Sequence, residues 1–301
     1  VTDSSETRCG FVAVIGAPNA GKSTLINRLV GAKVSIVTHK VQTTRIRIMG
    51  IAMRGNAQLV FIDTPGIFEP RRRLDRAMVD AAWRGAADGD QIMLMVDAKR
   101  GIDDDTRRIV EGLRRTKRAA ILLLNKIDLV KRESLLALAA ELNETGVIEE
   151  IFMISALKGG GVDDVMAKLV VSLPKGPWMF PEDQVSDLPL RLMAAEVTRE
   201  QLFLLTHQEV PYSVTVETEA WEEFKDGSVK IDQTIYVQRD SQKAIVLGRK
   251  GAQVKEIGAA ARTELGEMFE RKVHLFIHVK VRDKWMDDRS RYSAWNLNFN
   301  A

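Results

Sequence analysis

The feature that most constrains this chain is the run GAPNAGKS at positions 16 to 23. An apolar stretch typical of a buried strand precedes it, and apolar residues recur at helical spacing after it. A glycine-bearing loop between a strand and a helix offers backbone N–H groups and the positive end of the helix dipole to phosphate oxygens. The run therefore predicts a phosphate-binding loop, in which Lys22 reaches the outer phosphates and the hydroxyl of Ser23 binds a magnesium ion. The residues predicted to contact phosphate are Gly16, Ala17, Pro18, Asn19, Ala20, Gly21, Lys22, Ser23, Thr24 and, from a later segment, Gly66.

A second segment, DTPG, directly follows the apolar residues 58–62. Because an acid at the carboxyl end of a parallel strand lies beside the phosphate loop, Asp63 is predicted to hold the magnesium shell and Gly66 to donate its N–H to a γ-phosphate. Alone, the segment fits an ordinary turn; its combination with the phosphate loop favours a nucleotide site. The predicted second switch comprises Asp63, Thr64, Pro65, Gly66 and Ile67.

The segment NKID, after the apolar residues 121–124, decides which base is read. Guanine presents N1–H and its exocyclic amine as adjacent donors, which the carboxylate of Asp128 accepts together, whereas adenine has no such pair. Asn125 is predicted to tie this loop to the phosphate loop, and the stem of Lys126 to lie along the base. Backbone N–H groups of the later segment SAL are predicted to meet the guanine carbonyl, so GTP and GDP are the expected ligands. The residues predicted to bind guanine are Asn125, Lys126, Asp128, Ser155, Ala156 and Leu157.

A polar connection at residues 37–45 links the phosphate loop's helix to the next predicted strand. A threonine there is predicted to complete the magnesium shell when a γ-phosphate is present and to release it after hydrolysis. Thr44 is the first candidate and Thr43 the second, while a solvated turn remains the alternative for each. The predicted first switch comprises Gln42, Thr43, Thr44, Arg45 and Ile46.

The segments GAPNAGKS, QTTR, DTPG, NKID and SAL together resemble the Era-type branch of the translation-factor-related GTPases, over about the first 175 residues. The resemblance implies GTP hydrolysis with magnesium. Classical small GTPases use a glutamine to position water where this chain has Ile67, whose side chain cannot hydrogen-bond, so slow intrinsic hydrolysis is expected. Relatives with a hydrophobic residue there and an asparagine in the phosphate loop use a potassium ion. Asn19 matches that asparagine, and a loop-capping role is its alternative.

Composition fits a two-domain protein of a reducing compartment. The chain has 301 residues, 45% of them hydrophobic, and its single cysteine, Cys9, cannot form an internal disulfide. No apolar run is long enough to span a membrane, and the first residues lack the pattern of a secretory leader. A cytoplasmic location is therefore expected. The net charge of +3 combines 44 basic with 41 acidic side chains, so charged patches matter more than the total.

The predicted boundary between the domains lies in a connection rich in proline and acids. We predict a GTPase domain at 1–176, a linker at 177–189, a second domain at 190–282 and a tail at 283–301. The fold class is α/β: a P-loop GTPase domain with a mostly parallel sheet, followed by a smaller α+β domain. Periodicity in the second domain predicts helix 190–207, strands 212–224 and 228–238, helices 242–247 and 252–269, and strand 273–281.

The loop between the second domain's central helices carries the sequence GRKG. Such a G-x-x-G turn lets a nucleic-acid backbone approach closely, with Arg249 and Lys250 meeting phosphate. A lone G-x-x-G motif is weak evidence for RNA binding, because turns between helices use glycine for other reasons. The order of the elements, however, resembles a type II KH RNA-binding domain. Basic and aromatic residues interleaved in the tail either stack bases or pack. The predicted RNA-binding residues are Ile245, Val246, Leu247, Gly248, Arg249, Lys250, Gly251, Lys284 and Trp285.

Two histidines, His274 and His278, alternate along the last predicted strand without further ligands at suitable spacing, so a metal site is not expected there.

The pairing of these two domains resembles the Era family. That resemblance implies a GTPase that binds the 3′ end of 16S ribosomal RNA and acts in maturation of the small ribosomal subunit. Nothing in the sequence suggests an obligate dimer, so a monomer is expected. The alternative is a membrane-associated regulatory GTPase that acts on the cell cycle or on another RNA, with peripheral contact to the inner membrane. Neither a lipidation motif nor a basic amphipathic helix supports that alternative. A motor NTPase such as a helicase would bind adenine, and the guanine-reading segment NKID disfavours it. A ribosome factor with two GTPase domains is disfavoured because this chain has a single phosphate loop.

Overall fold

The computed structural model describes residues 7–40, 43–206 and 214–301. The chain divides into two compact units. The first comprises the residues up to Ser35, Thr44–Asp187 and Arg289–Ala301, and the second comprises Ile36–Thr43 and Leu188–Asp288.

A mostly parallel sheet forms the centre of the first unit. Its strands are β1 (Arg8–Gly16), β2 (Ile48–Arg54), β3 (Ala57–Asp63), β4 (Gln91–Asp97), β5 (Ala120–Asn125) and β6 (Ile148–Ile154). They lie in the order β2-β3-β1-β4-β5-β6, and only β2 runs antiparallel to its neighbour. Every residue of β3 is buried, as expected of a strand covered on both faces. The carboxyl ends of β1, β3, β4, β5 and β6 therefore share one edge, which is where such sheets bind ligands.

Helices cover both faces of this sheet. They are α1 (Lys22–Val30), α2 (Arg73–Asp88), α3 (Asp104–Thr116), α4 (Arg132–Asn143) and α5 (Val162–Ser172). Apolar side chains of α1 and α5 pack in one buried cluster, and those of α2, α3 and α4 pack in another. The helices thus make a three-layer α/β domain, which confirms the predicted fold class.

Residues 177–187 of the predicted linker belong to the first unit. Val185 accepts a hydrogen bond from Ile51 N at 2.9 Å, and Asp187 N donates to Met49 O at 3.3 Å, so residues 185–187 run along the edge strand β2. The buried amide of Gln58 also donates to Phe180 O at 2.8 Å. Composition alone predicts a connection here, because pairing with a distant edge strand leaves no periodic pattern in so short a segment.

The second unit contains α6 (Leu190–Leu205), β7 (Val214–Glu223), β8 (Val229–Val237), α7 (Asp240–Leu247), α8 (Ala252–Met268) and β9 (Val273–Val281). The strands form a sheet in the order β7-β8-β9, with β8 antiparallel to β7 and parallel to β9. This order of elements confirms the predicted smaller α+β domain. The predicted ends at His207 and Tyr212 lie outside the described residues.

Two segments belong to units other than those the sequence suggests. The predicted tail begins with a 3₁₀ turn at Trp285–Asp287, which belongs to the second unit, whereas helix α9 (Arg289–Ala294) belongs to the first. The segment Ile36–Thr43 belongs to the second unit, although its neighbours along the chain belong to the first. Sequence continuity is a poor guide here, because short polar segments take their partners from tertiary contacts.

Candidate functional site

The phosphate loop lies between β1 and α1, as its sequence predicts. Gly21 has a left-handed φ of 105°, and a Cβ there would lie 2.3 Å from Nδ2 of Asn125. Asn19 is also left-handed, with φ of 64°, a conformation that asparagine tolerates better than most residues. The left-handed angles of both residues shape the phosphate loop. At Gly21 the neighbouring Asn125 leaves no room for a side chain.

Lys22 is buried beneath this loop, and only 6% of the residue is exposed. Its Nζ donates to Gly16 O at 3.1 Å and to Ala17 O at 3.0 Å. Burial lowers the pKa of Lys22 to about 8, while the nearby charge of Asp63 opposes that shift. A phosphate oxygen offers Lys22 a stronger, charged acceptor than these carbonyls, so this position suits an anionic ligand.

Oxygen-bearing side chains converge on the buried carboxylate of Asp63. Its Oδ2 accepts hydrogen bonds from Ser23 Oγ at 2.8 Å and from Ser35 Oγ at 2.5 Å, and Thr44 Oγ1 lies 3.5 Å away. The other oxygen, Oδ1, is buried without a hydrogen-bond partner. Burial raises the pKa of Asp63, and its hydroxyl neighbours and Lys22 oppose that effect. A buried carboxylate oxygen without a partner is costly unless something binds it.

The two candidate switch threonines have different surroundings. Thr44 Oγ1 lies 2.9 Å from Ser23 Oγ, within the first unit. Thr43 belongs to the second unit, where its Oγ1 lies 2.7 Å from Thr38 Oγ1 and donates to Lys40 O at 2.7 Å. The geometry therefore favours Thr44 over Thr43 as the residue beside Ser23. Of the other predicted first-switch residues, Arg45 and Ile46 are buried, and Gln42 lies outside the described residues.

The second switch segment packs against the phosphate loop. Thr64 Oγ1 donates to Val14 O at 2.8 Å, and a Cβ on Gly66 would lie 2.9 Å from Pro18 N. Pro65, which lies between Thr64 and Gly66 in the sequence, is buried as well. Ile67 donates its N–H to Gly16 O at 3.1 Å and buries its side chain in the apolar cluster of α2 and α3. The Ile67 side chain is thus part of the apolar core.

Asn125 connects the guanine loops to the phosphate loop. Its Nδ2 donates to Ala20 O at 2.8 Å, and its Oδ1 accepts from Ala156 N at 2.9 Å. Lys126 Nζ donates to Asn19 O at 2.9 Å and to Asp97 Oδ2 at 2.6 Å. The side chain of Asn125 is buried, so both of its hydrogen bonds are shielded from water.

Asp128 lies beside the SAL segment. Its Oδ1 accepts from Ser155 Oγ at 2.7 Å, and its Oδ2 pairs with Lys158 Nζ at 3.3 Å. The hydrogen bond from Ser155 is the main cause that lowers the pKa of Asp128, so the carboxylate is held ionised, as acceptance from guanine requires. Leu157 is 73% exposed, which leaves one side of this loop open.

Two residues contribute to the site without a signal that marks them in the sequence. Ser35 donates to Asp63, and Arg28 Nε donates to Ala156 O at 2.6 Å with a second hydrogen bond to Leu157 O. Arg28 lies in the last turn of α1, where a basic residue is ordinarily explained by the helix dipole. Their roles follow from contacts between segments far apart in the chain.

The GRKG turn joins α7 to α8 as a 3₁₀ turn at Arg249–Gly251. Gly248 has φ of 68°, and a Cβ there would lie 2.5 Å from Cβ of Gln253, so glycine is required. Arg249 and Lys250 are exposed, and Ile245 is 37% exposed on the preceding helix. Leu247, Gly248 and Gly251 are half-buried. The turn presents two cations next to a partly apolar surface.

Two predicted RNA-contacting side chains are buried instead. Val246 packs with Val214 and Ile257 in the core of the second unit, and Trp285 is 0% exposed. The structure thus favours the packing alternative for Trp285 over base stacking, because an enclosed ring offers no face to a base. Lys284 is exposed and remains a predicted phosphate contact.

The described parts of the chain contain no group of three or more histidine, cysteine, aspartate or glutamate residues that is able to hold a metal ion. Across the same described ranges, none of the helices has the length and apolarity that a bilayer crossing demands.

Comparison with known proteins matches both units. The family model described as 50S ribosome-binding GTPase matches residues 11–126, and the KH domain model matches residues 209–286. With the geometry above, these matches define the class: a P-loop GTPase that carries a KH RNA-binding domain.

Relatives that match over nearly the whole chain narrow the class. GTPase Era of Sinorhizobium medicae is 62% identical over 293 residues, which is 97% of this chain and 94% of that protein. GTPase Era of Rhizobium meliloti is 61% identical over the same shares. The crystal structure of Era in complex with MgGDPNP and nucleotides 1506–1542 of 16S ribosomal RNA superposes with a TM-score of 0.92 at 38% identity, over 96% of this chain and 99% of that one. The chain belongs to the GTPase Era family.

Proposed function

We propose that this GTPase is a switch that binds the 3′ end of 16S ribosomal RNA and assists assembly of the small ribosomal subunit. The observation that carries the proposal is that one chain combines the loops predicted to read guanine with an exposed basic G-x-x-G turn. The likeness to Era bound to MgGDPNP and a 16S ribosomal RNA fragment supports the choice of RNA.

The residues around Asp63 fit a magnesium ion. Hydroxyl and carboxylate oxygens are the ligands that magnesium prefers, and Asp63 Oδ1 is a buried oxygen without a partner. Ser23, Thr44 and Asp63 would hold the ion directly or through its water shell. When bound, magnesium would supply positive charge that offsets the negative charge developing on the phosphate oxygens during hydrolysis.

Slow intrinsic hydrolysis follows from the side chains near the γ-phosphate. Ile67 is buried in the apolar core and has no group that orients water. In place of a water-orienting side chain, we propose that Asn19 holds a potassium ion that supplies positive charge. Hydrolysis in potassium is then faster than in sodium, and an Asn19→Gly variant, which keeps the left-handed backbone, loses the difference. Equal rates in both salts would leave Asn19 as a loop cap.

The first switch links the nucleotide site to the RNA-binding unit along the chain. Thr44 lies beside Ser23, while the preceding segment Ile36–Thr43 is hydrogen-bonded to α6 within the second unit. Glu200 Oε1 accepts from Val37 N at 2.7 Å, and Arg199 donates to Thr43 O at 2.5 Å. We propose that ordering of Thr44 and of the second switch by GTP changes how the KH domain meets RNA, and that hydrolysis reverses the change.

The test is the affinity of the full chain for an RNA that copies nucleotides 1506–1542 of 16S ribosomal RNA, with GDP and with a non-hydrolysable GTP analogue, at two salt concentrations. We expect tighter binding in the GTP-like state and little binding of a scrambled RNA. Equal binding in both states and to both RNAs would mean that the target of this GTPase lies elsewhere.

A double variant tests the turn itself. Arg249→Asp with Lys250→Asp removes two exposed cations, so RNA binding should weaken and its dependence on salt should flatten. Lys225→Asp with Lys243→Asp is a control with the same change in charge at other positions of the second unit. If the turn variant bound as tightly as the parent at every salt concentration, the turn would not be the RNA site.

The monomeric state and peripheral contact with the inner membrane stay predictions. Light scattering of the nucleotide-bound protein tests the first. Co-sedimentation with anionic vesicles tests the second, and binding that persists at high salt would favour the membrane alternative over a purely ribosomal role.

A further inference from the structure

The sheet of the second unit has one face packed on helices and one that bears exposed side chains. Along β9, Leu275, Ile277 and Val279 pack against the apolar clusters beneath α6, α7 and α8. Since side chains alternate along a strand, the residues between them point to the opposite face. That second face of β9 carries His274, Phe276, His278 and Lys280, and we call it the β9 face.

Aromatic rings and cations adjoin one another on the β9 face. Phe276 is 50% exposed, and Lys230 Nζ of the neighbouring strand lies 5.8 Å from its ring centre. His274 packs edge-on against Phe224, with ring centres 6.2 Å apart. An exposed phenylalanine alone is ordinary, but these rings and cations share one surface. They provide both a stacking platform and positive charge.

Charge is distributed unevenly across the sheet. β9 contains no acidic residue, whereas β7 on the opposite edge carries Glu217, Glu219, Glu222 and Glu223. The acidic residue on the strand between them, Asp232, is 3.2 Å from Lys230. An anionic chain is therefore favoured along β9 and repelled along β7.

The β9 face adjoins the structure that carries the G-x-x-G turn. Ile277 and Val279 belong to the same apolar cluster as Val246 of α7 and Ile257 of α8. A Cβ on Gly258 of α8 would lie 3.4 Å from Ile277 Cδ1, so helix and strand are in close contact. Because β9 is an edge strand, a polymer that passes the helical side is able to continue around this edge.

We propose that the β9 face is a second binding surface for single-stranded RNA, separate from the G-x-x-G turn. Bases stack on Phe276 and the imidazole of His278, and Lys280 contacts phosphate. Alternate residues of a strand lie about 6.6 Å apart, which spaces these groups along an extended chain. Sheet faces that bear exposed aromatic residues bind unpaired bases in the same way, with little sequence preference. The choice of RNA as partner rests on the proposed function.

The test compares two RNAs on the full chain. One has about four nucleotides, the length that a G-x-x-G turn clamps, and the other is about three times as long. Phe276→Ala should weaken binding of the long RNA about fivefold or more and leave the short RNA unchanged. Phe276→Tyr should restore the affinity, because a phenol ring stacks as well. Lys280→Ala should lower the salt slope for the long RNA by about one.

A matched control separates this effect from a general loss of apolar surface. Leu204 lies on α6 and is 49% exposed, close to the value for Phe276, so Leu204→Ala should bind both RNAs like the parent. Photocrosslinking with a uridine-rich long RNA should label the peptide that contains Phe276. Equal affinity of the Phe276→Ala and Leu204→Ala variants for the long RNA would overturn the inference.

Failure of this inference is distinguishable from failure of the proposed function. If the Arg249→Asp and Lys250→Asp variant loses both RNAs while Phe276→Ala changes neither, the G-x-x-G turn is the RNA site and the β9 face is not. If Phe276→Ala instead reduces the mass measured by light scattering, the β9 face joins copies of this chain, and the inference is also overturned. If neither variant affects either RNA, both proposals fail.

Discussion

Ser23 and Asp63 are 40 residues apart in the chain, yet Ser23 Oγ donates a hydrogen bond of 2.8 Å to Asp63 Oδ2. This bond brings the start of α1 to the carboxyl end of β3. It leaves Asp63 Oδ1 buried without a partner. The pair therefore marks the place where we propose that a cation binds, because a cation would offset the cost of this buried carboxylate.

The two neighbouring threonines of the first switch should respond differently to loss of the hydroxyl. Thr44→Val removes the group beside Ser23, so GTP hydrolysis should fall about tenfold or more and require more magnesium. Thr43→Val has the same change in size and is the control, because its hydroxyl contacts Thr38 and Lys40 instead. The magnesium dependence of single-turnover hydrolysis measures both. A larger loss in Thr43→Val would reverse the assignment.

Nucleotide binding should take up a proton above pH 8. In the nucleotide-free protein, burial lowers the pKa of Lys22 to about 8 from the ordinary lysine value of 10.5. Phosphate favours the charged amine, so binding raises that pKa, and affinity should fall as pH rises through 8. Calorimetry of GDP binding in two buffers with different ionisation enthalpies measures the uptake. It should be present just above pH 8 and absent well below it, and an identical uptake at both pH values would contradict the assignment to Lys22.

The same group should shape the stability of the nucleotide-free protein. Between pH 8 and the ordinary pKa of lysine, the unfolded chain binds more protons than the folded one, so the free energy of unfolding rises with pH in that window. Lys22→Met should remove this rise.

The Lys22→Ala protein should lose nucleotide binding, and retained micromolar affinity for GTP would count against the site.

Base selection should depend on Asp128. Asp128→Asn replaces an acceptor pair with one acceptor and one donor, which no longer matches the two donors of guanine, so GTP affinity should fall about 100-fold. Xanthine carries a carbonyl in place of the guanine amine and should bind this variant better than guanine does. Competition between GTP and XTP is the measurement. Asp163→Asn on α5 is a control that changes the charge equally outside the site.

Glu200 should hold the segment before the first switch in place. Its Oε1 accepts the Val37 N–H at 2.7 Å, so Glu200→Ala should speed hydrogen exchange at Val37 about tenfold, which corresponds to loss of a charged hydrogen bond. Gln201→Ala is the control on the same helix, since Gln201 donates to Glu264 of α8 instead. If exchange at Val37 were equally slow in both variants, other contacts would be holding the segment.

The sequence by itself determined the class of the protein and predicted the places where its ligands bind. The β9 strand has the predicted bounds, because alternation of apolar residues is a local property of the chain. The loops around Lys22, Asp63 and Asn125 lie together because each follows a parallel strand of one sheet. A glycine-rich loop, an acid after a strand and a guanine-reading segment are likewise local signals, and each is readable without knowledge of distant contacts.

Only the tertiary structure decided which distant groups complete the sites. Ser35 joins Asp63, Arg28 fixes the SAL segment, and Trp285 is buried instead of facing solvent. The segment Ile36–Thr43 takes its partners from α6, although both of its chain neighbours belong to the first unit. A hydroxyl, a guanidinium or an indole has the same local pattern whether it is solvated or buried. Its role is decided by which remote residue folding brings within hydrogen-bonding distance.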